Sequence, residues 1–207
     1  MEENTFYNQI KQAGDMKTLK QTALTCSNCS LRAGCQQVVF GVGNVNAQIM
    51  WIGEGPGADE DRLGEPFVGR AGQLLDKILA SGGFSRQENV YITNVVKCRP
   101  PQNRNPLPEE VQVCLPILRE EFKRIHPKII VLLGAVALHA ILDPQAGITK
   151  SRGQWIEKQG IWFIATYHPA ALLRNENLKK DVWLDMHNIV KKYREVVDSQ
   201  HFPEFKQ

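Results

Sequence analysis

Short, almost wholly apolar runs alternate along this chain with longer segments of helical periodicity. The apolar runs predict four strands, at residues 48–53, 89–98, 128–134 and within 161–170, where the strand runs into a loop. Strands that are buried on both faces have near-continuous apolar sequences, and helices between them favour a parallel arrangement. The pattern therefore predicts an α/β protein with three layers, α/β/α, around a central four-stranded, mainly parallel sheet.

The segments between these runs predict the helices. Leu74, Leu75, Ile78 and Leu79 recur at helical spacing before a Gly-Gly stop. The four prolines of CRPPQNRNPLP exclude regular structure there. Further helices are predicted at 3–24 (one or two), 108–125, 135–142 and 178–197. We interpret residues 1–207 as a single domain that includes an N-terminal helical segment, 1–25, with a loose tail at 198–207.

Composition and charge fit a soluble globular protein. The chain is 43% hydrophobic and 23% charged, with a net charge of +3, which permits a nucleic-acid partner without demanding one. The apolar run KIIVLLGAVAL is too short to cross a bilayer, and the polar start MEENTFYNQ is not a secretory signal. We expect a cytoplasmic protein without a membrane partner. Its five cysteines are an odd number, which argues against a disulfide framework and makes metal or cluster ligation an option.

Three loops follow the carboxyl ends of predicted strands, where parallel sheets bind their ligands. The first, IGEGPGADED at 52–61, matches the dinucleotide spacing G-x-G-x-x-A. Three successive carboxylates, Asp59 to Asp61, would repel a phosphate, Pro56 removes an N–H donor, and the next helix is expected only near Arg70. A dinucleotide site is therefore disfavoured, and a purely structural glycine turn remains an alternative.

The second and third loops carry Asn94 and His168. A side-chain amide at a strand end offers a donor and an acceptor to a flat heterocycle, although it is often only a turn former. His168 lies at a strand exit, where Pro169 favours an extended conformation. A histidine at that edge is a candidate for chemistry.

Several motifs, in order, resemble the family 4 uracil-DNA glycosylases, the iron–sulfur branch of the uracil-DNA glycosylase superfamily. The resemblance runs from about Cys26 to about Arg174 and rests on GEGPGADED, PFVGRAGQLL, YITNVVKCRPPQNR, LLGAVA, ITKSRG and YHPAALLR. It implies a monomeric DNA-repair enzyme that flips uracil out of single- or double-stranded DNA and hydrolyses its glycosidic bond. Free uracil and an abasic site would be the products.

The resemblance also implies roles for residues of the three loops. Phe67 would stack on uracil, Asn94 would pair with its O4 and N3–H, and Glu60 would exclude the thymine methyl group. His168 would donate to uracil O2. Glu54 would act as a general base or as an electrostatic stabiliser, and the Gly55 backbone could hold the water instead.

Four cysteines match the family's cluster ligands. Cys26 and Cys29 form C-x2-C. After 68 intervening residues, Cys98 and Cys114 form C-x15-C. This resembles the family's 4Fe–4S arrangement, although zinc accepts four thiolates equally well. Cys35 fits no ligand position.

Basic residues near the loops are candidate DNA-phosphate contacts. They are Lys97, Arg99, Arg104, Lys150, Arg152 and Arg174. Two other interpretations accompany the enzyme hypothesis. One is a relative that traps uracil covalently through a histidine such as His126 in KRIHP, and the other is a non-catalytic iron–sulfur nucleic-acid binder.

Overall fold

A six-stranded sheet forms the centre of the protein in the computed structural model, which describes residues 5–201. The strands are β1 (Val42–Gly43), β2 (Ile49–Gly53), β3 (Val90–Asn94), β4 (Ile129–Leu133), β5 (Trp155–Lys158) and β6 (Ile161–Thr166). Their order across the sheet is β1-β3-β2-β4-β6-β5. The four central strands are parallel, and the two edge strands pair antiparallel with β3 and β6.

The predicted α/β class is confirmed, but the predicted count of four strands is wrong. The four parallel strands lie within the four apolar runs, and β3 and β6 end before their runs do, at Asn94 and Thr166. The missed strands, β1 and β5, are short edge strands with half-buried or exposed residues. Neither contains the buried apolar run by which the central strands were recognised.

Ten helices are found in the described part of the chain. They are α1 (Thr5–Gln12), α2 (Met16–Leu24), α3 (Leu31–Gly34), α4 (Ala58–Leu63), α5 (Arg70–Ser81), α6 (Pro108–Ile125), α7 (Ala135–Ile141), α8 (Ile148–Ser151), α9 (Pro169–Arg174) and α10 (Lys179–Val196). Short 3-10 helices cover Pro101–Asn103 and Glu176–Leu178.

The three-layer arrangement follows from the alternation of side chains along the strands. In β2, Ile49 and Trp51 join one apolar core with α5 and α10. The intervening residues, Met50 and Ile52, join a second core with α1, α2, α6 and α7. All five residues of β2 are buried, because each face of the strand packs against helices.

The start of α4 corrects one prediction. A helix does follow the glycine-rich loop at once, at Ala58, and not only near Arg70. Glu60 stabilises this start, since its carboxylate accepts the N–H of Gly57, the N-cap residue, at 3.0 Å. The carboxylates that argued against a phosphate therefore favour the N-terminus of a short helix.

The strand register brings the carboxyl ends of the central strands together. Gly53 of β2 lies opposite Asn94 of β3, and Leu133 of β4 lies opposite Thr166 of β6. The loops after β2, β3 and β6 consequently leave the sheet at one edge.

The described end of the chain is packed against the protein. His201 is buried, stacks on Phe84 with a centroid separation of 4.5 Å, and lies 2.9 Å from the Gly82 carbonyl through Nε2. Residues 198–201 of the predicted tail are thus held in place, while 202–207 lie outside the described residues. No helix within residues 5–201 is long and apolar enough to span a membrane.

Candidate active site and cysteine-lined cavity

The three predicted loops meet around one cavity of about 490 Å³ at the carboxyl edge of the sheet. Every catalytic or base-binding residue predicted from the sequence lines it: Glu54, Gly55, Glu60, Phe67, Asn94 and His168. Arg70, Asn103, Arg104 and Arg174 also line this cavity.

The glycines of the first loop allow the cavity walls to approach each other. A Cβ on Gly53 would lie 2.4 Å from the Phe67 ring and 2.5 Å from Asn94 Oδ1. A Cβ on Gly55 would lie 2.7 Å from a methyl group of Val96. Neither position needs a positive φ, so these glycines are required by close packing.

Phe67 forms one wall in an unusual backbone conformation. Its φ is +55°, which is uncommon for a residue with a side chain. The ring is 5% exposed, and its centroid lies 5.6 Å from that of the His168 ring. The backbone therefore presents the aromatic ring to the cavity.

Glu60 lines the cavity but is engaged by the backbone. One carboxylate oxygen accepts the N–H groups of Val68 and Gly69, both at 2.9 Å, and the other accepts that of Gly57. The resemblance suggested a side chain dedicated to the C5 edge of uracil. The structure adds that this carboxylate also fixes the loop following Phe67.

Asn94 presents an unpaired acceptor to the cavity. The residue is 2% exposed, and its Oδ1 has no hydrogen-bond partner within residues 5–201. A buried amide oxygen without a donor is destabilising, which makes it a feature that requires a ligand or water to explain it.

His168 is oriented by the start of α9. Its Nδ1 accepts the N–H of Ala170 at 3.2 Å, so a neutral imidazole carries its proton on Nε2. Burial and the nearby Arg174 cation lower the pKa of His168 to about 4. The ring is therefore neutral at physiological pH and can act as a hydrogen-bond donor through Nε2.

The pKa of Glu54 is shifted in the opposite direction from that of His168. Burial raises the pKa of its carboxyl group above the ordinary value, while the Arg174 cation lowers it. Arg174 thus lowers the pKa values of both Glu54 and His168, favouring the carboxylate and the neutral imidazole together.

A second cavity brings together four of the five cysteines. Cys26, Cys29, Cys98 and Cys114 line it, together with Leu31, Arg32, Val38, Lys97, Val113 and Ile117. The backbone N–H of Lys97 donates to Cys114 Sγ at 3.2 Å, and burial raises the pKa of Cys114 to about 12. Cys35 is not part of this lining, and its Sγ lies 3.7 Å from a guanidinium nitrogen of Arg32.

Comparison with known proteins places this geometry in a family. A family model described as the uracil DNA glycosylase superfamily matches residues 40–187. The chain belongs to the uracil DNA glycosylase superfamily. The matched range contains both the 490 Å³ cavity and two of the four cavity cysteines.

Curated relatives refine this assignment. The type-4 uracil-DNA glycosylase of Thermotoga maritima is 46% identical over 164 residues, covering 78% of this chain and 85% of the relative. That of Archaeoglobus fulgidus is 44% identical over 174 residues, covering 80% and 87%. A type-5 uracil-DNA glycosylase of Pyrobaculum aerophilum is 36% identical over 146 residues, covering 63% and 64%. The predicted resemblance to family 4 is confirmed.

The predicted DNA contacts of this superfamily member divide into two groups. Arg174 lines the 490 Å³ cavity, Lys150 is exposed, and Arg99 is partly exposed with its Nε 2.8 Å from Asn103 Oδ1. These three remain available to a phosphate.

The other three candidates are engaged within the protein. Arg104 makes a two-pronged ion pair with Glu110, with N–O distances of 2.8 and 2.9 Å, and Arg152 makes one with buried Asp185. Lys97 is 1% exposed, so the structure excludes it from a surface role. Cations that looked solvated in the sequence have carboxylate partners on other elements.

Lys97 and Glu121 form a buried ion pair that sequence reasoning missed. Lys97 Nζ donates to Glu121 Oε2 at 2.5 Å and to the Asn94 carbonyl at 2.9 Å. Glu121 also accepts from Tyr91, Thr93 and the Gly41 N–H. The one available signal is that Glu121 lies seven residues after Cys114, on the same face of α6. The pair joins the end of β3 to the helix that carries a cavity cysteine.

His126, the histidine of KRIHP, lies away from the cavity. It ends α6 and precedes β4, and so lies at the amino edge of the sheet, opposite the carboxyl edge where the three loops meet. This position disfavours the covalent alternative.

Proposed function

We propose that the protein hydrolyses the bond between uracil and deoxyribose in DNA, releasing free uracil and leaving an abasic site. The observation that carries this proposal is the buried Oδ1 of Asn94, which has no hydrogen-bond partner within residues 5–201 and lies in a cavity walled by Phe67 and His168. Uracil supplies the donor that this acceptor lacks, through its N3–H. Superfamily membership and the type-4 relatives support the same reaction.

Base recognition is assigned to Asn94 and Phe67. Asn94 Oδ1 accepts N3–H and its amide nitrogen donates to O4, whereas cytosine offers the reverse pattern and leaves buried groups unpaired. Phe67 packs against the face of a base that has left the stack, as aromatic side chains do with unstacked bases.

Exclusion of thymine is assigned to Glu60. Three backbone N–H groups hold its carboxylate, so the side chain cannot turn aside to admit a methyl group. A methyl group placed against this carboxylate would both clash with it and displace its solvent.

The chemical step uses His168 and Glu54. His168 Nε2–H donates to uracil O2 and stabilises the negative charge that develops on the departing base. Glu54, as a carboxylate, either activates the attacking water or stabilises the cationic sugar, and the Gly55 backbone lies beside it to hold that water.

The four cavity cysteines are proposed to hold a 4Fe–4S cluster. Four thiols, no carboxylate and no imidazole line the cavity, and a backbone N–H points at Cys114 Sγ. Zinc also accepts four thiolates, so the donor set fits either group and the metal content of the protein distinguishes them. Bound there, a cluster would supply a cross-link between the Cys26–Cys29 segment, the Cys98 loop and α6.

The cluster assignment has its own test. The purified protein should show a broad visible absorbance band and four irons per chain, and Cys26→Ser should lose both. Cys35→Ser is the matched control and should keep them, because Cys35 contacts Cys98 through its side chain but does not itself line the cavity. One tightly bound zinc ion and no visible band would contradict the assignment.

The protein is proposed to bind DNA as a monomer, without preference for a particular base sequence. Arg99, Lys150 and Arg174 contact phosphates, so affinity falls steeply with added salt. Single- and double-stranded DNA are both substrates, because the flipped nucleotide is all that enters the cavity.

A uracil-release assay tests the proposed reaction. Wild type should release uracil from oligonucleotides without added metal, and His168→Ala should be about 10²–10³ times slower in single turnover. His139→Ala is the control, since His139 is exposed, bonds to the Ala146 carbonyl and does not line the 490 Å³ cavity. Full activity of His168→Ala, or no uracil release by wild type, would overturn the proposal.

A further inference from the structure

The backbone of Phe67 needs an external constraint to hold its conformation. Its φ of +55° is disfavoured by the side chain, and residues held in this region persist only where their surroundings impose it. Local packing contributes, because a Cβ on Gly72 would lie 1.8 Å from the Phe67 carbonyl oxygen. The polar groups on either side of Phe67 show what else imposes it.

Two side chains of opposite charge hold this turn. One accepts its backbone N–H groups and the other donates to its backbone carbonyl groups. Glu60 accepts the N–H groups of Val68 and Gly69 that follow Phe67. Arg86 donates to the carbonyl of Pro66 at 3.0 Å and to that of Phe67 at 2.9 Å. Arg86 therefore fixes the peptide groups on both sides of the Phe67 Cα.

Arg86 is itself immobilised. Its Nε and one terminal nitrogen donate to Asp76 Oδ1 at 3.0 and 2.7 Å, and its side chain is 11% exposed. It comes from the segment between α5 and β3, outside every motif that indicated the site. A planar guanidinium can reach two successive carbonyls and a carboxylate at once, which an ammonium group cannot do with the same geometry.

We propose that Arg86 is a positioning residue that holds Phe67 in the left-handed conformation, so that the base-stacking wall is formed before the flipped base arrives. The proposal rests on the proposed function in one respect, the contact between Phe67 and uracil. Preorganisation of this kind favours binding because the wall is not ordered at the moment of reaction.

The first test is a double-mutant cycle on single-turnover uracil excision. Arg86→Met should lower kcat/KM about tenfold, and Arg86→Lys should fall between Arg86→Met and wild type, since it keeps one donor. In a Phe67→Ala background the same Arg86→Met change should alter kcat/KM less than twofold. Equal losses in both backgrounds would show a general structural role and overturn the proposal.

Arg124→Met is the matched control. Arg124 also bonds a backbone carbonyl, that of Ala13, and a carboxylate, that of Glu120, and its side chain is 16% exposed. It lies on α6 and does not line the 490 Å³ cavity. Its substitution should lower the melting temperature as Arg86→Met does, without the tenfold loss of kcat/KM.

Hydrogen exchange provides a readout that does not depend on glycosylase activity. Amides of the segment 64–70 should exchange at least tenfold faster in Arg86→Met and at the wild-type rate in Arg124→Met. Unchanged exchange in Arg86→Met would overturn the positioning role even if the enzyme excises uracil. If exchange is faster in Arg86→Met but the wild-type protein releases no uracil, the positioning role stands and the proposed function is wrong.

Discussion

The 490 Å³ cavity and the cysteine-lined cavity are built in opposite ways. In the first, hydrogen bonds within the protein hold the polar groups in place. Three N–H groups hold Glu60, the Ala170 N–H holds His168, and Arg86 holds the backbone carbonyl of Phe67. In the second, four thiols converge, with backbone N–H groups directed at Cys114 from Lys97 and at Cys26 from Asn28. The proposed base pocket is thus preorganised, whereas the geometry of the cysteine cavity would depend on the group proposed to bind there.

The difference matches the two proposed tasks. A pocket that discriminates between bases must hold its donors and acceptors before the base enters, because only fixed groups penalise the wrong pattern. A cluster site can obtain its order from four strong ligand bonds. Residues 94–98 connect the two regions, and the buried Lys97–Glu121 pair fixes this connection to α6.

Removing the Lys97–Glu121 ion pair should produce the largest loss of stability and activity among the variants proposed below. Lys97→Met leaves the carboxylate of Glu121 buried without its cation, which typically costs about 3–5 kcal/mol of stability. Chemical denaturation should show this loss, and both uracil excision and visible absorbance should decline, since residues 94–98 serve both cavities.

The double variant Lys97→Met with Glu121→Gln is the control for this change. It leaves no unpaired charge, and most of the stability should return. A Lys97→Met protein as stable as wild type would show that the ion pair does not fix the connection.

Gly53→Ala should affect the 490 Å³ cavity and leave the cysteine-lined cavity unchanged. Its effect on stability should be smaller than that of Lys97→Met. The added methyl group meets the Phe67 ring and Asn94 Oδ1, and overpacking of this kind costs about 1–3 kcal/mol. Uracil excision should fall about tenfold or more, while iron content and the visible band stay at wild-type levels. Gly147→Ala is the control, because nothing lies within 4 Å of a Cβ there. Loss of the cluster in Gly53→Ala would contradict the separation.

The pH dependence of excision should show the smallest effect. The pKa of His168 is lowered to about 4, so this ring stays neutral and active as pH falls through 6.5. The pKa of Glu54 is raised by burial, so its carboxylate is the group lost first on acidification. The acid limb of kcat/KM should therefore belong to Glu54 and lie above pH 4.5.

Two variants check this assignment in single-turnover assays between about pH 4.5 and 8. Glu54→Gln should remove the limb at a lower plateau rate. Arg174→Met should move the limb to higher pH, because the Arg174 cation lowers the pKa of Glu54. A limb near pH 6.5 that survives Glu54→Gln would point to His168 instead.

Protonation of His168 also affects stability, in a direction set by its lowered pKa. Between about pH 4 and 6.5 the unfolded chain binds a proton that the folded protein does not bind. Stability should consequently rise with pH across this window, and the contribution is lost as pH falls through it. His168→Ala should flatten that part of the stability profile.

The parallel sheet and the positions of Asn94 and His168 were predictable from the sequence because they follow local rules, whereas the pocket roles of Glu54, Glu60 and Phe67 came from the family resemblance. Buried parallel strands appear as apolar runs, and ligand-binding loops follow their carboxyl ends. Asn94 and His168 follow from these rules alone, without the family resemblance.

Features that depend on distant pairing were not predictable from local pattern. Arg152 was taken for a DNA contact, but its partner Asp185 is 33 residues away on α10. Arg86 had no recognisable signal and Lys97 was predicted as a DNA contact, because their partners are backbone carbonyls and carboxylates that only the folded chain brings near. The edge strands β1 and β5 were missed for the different reason that short, partly exposed strands lack a continuous apolar run.

The most direct test of the base pocket compares uracil with N3-methyluracil in otherwise identical oligonucleotides. The methyl group removes the one donor that Asn94 Oδ1 is proposed to accept. Wild type should excise uracil at least about a hundredfold faster than N3-methyluracil. Asn94→Ala should excise both slowly and within about tenfold of each other. Equal rates for the two bases with wild type would contradict the account.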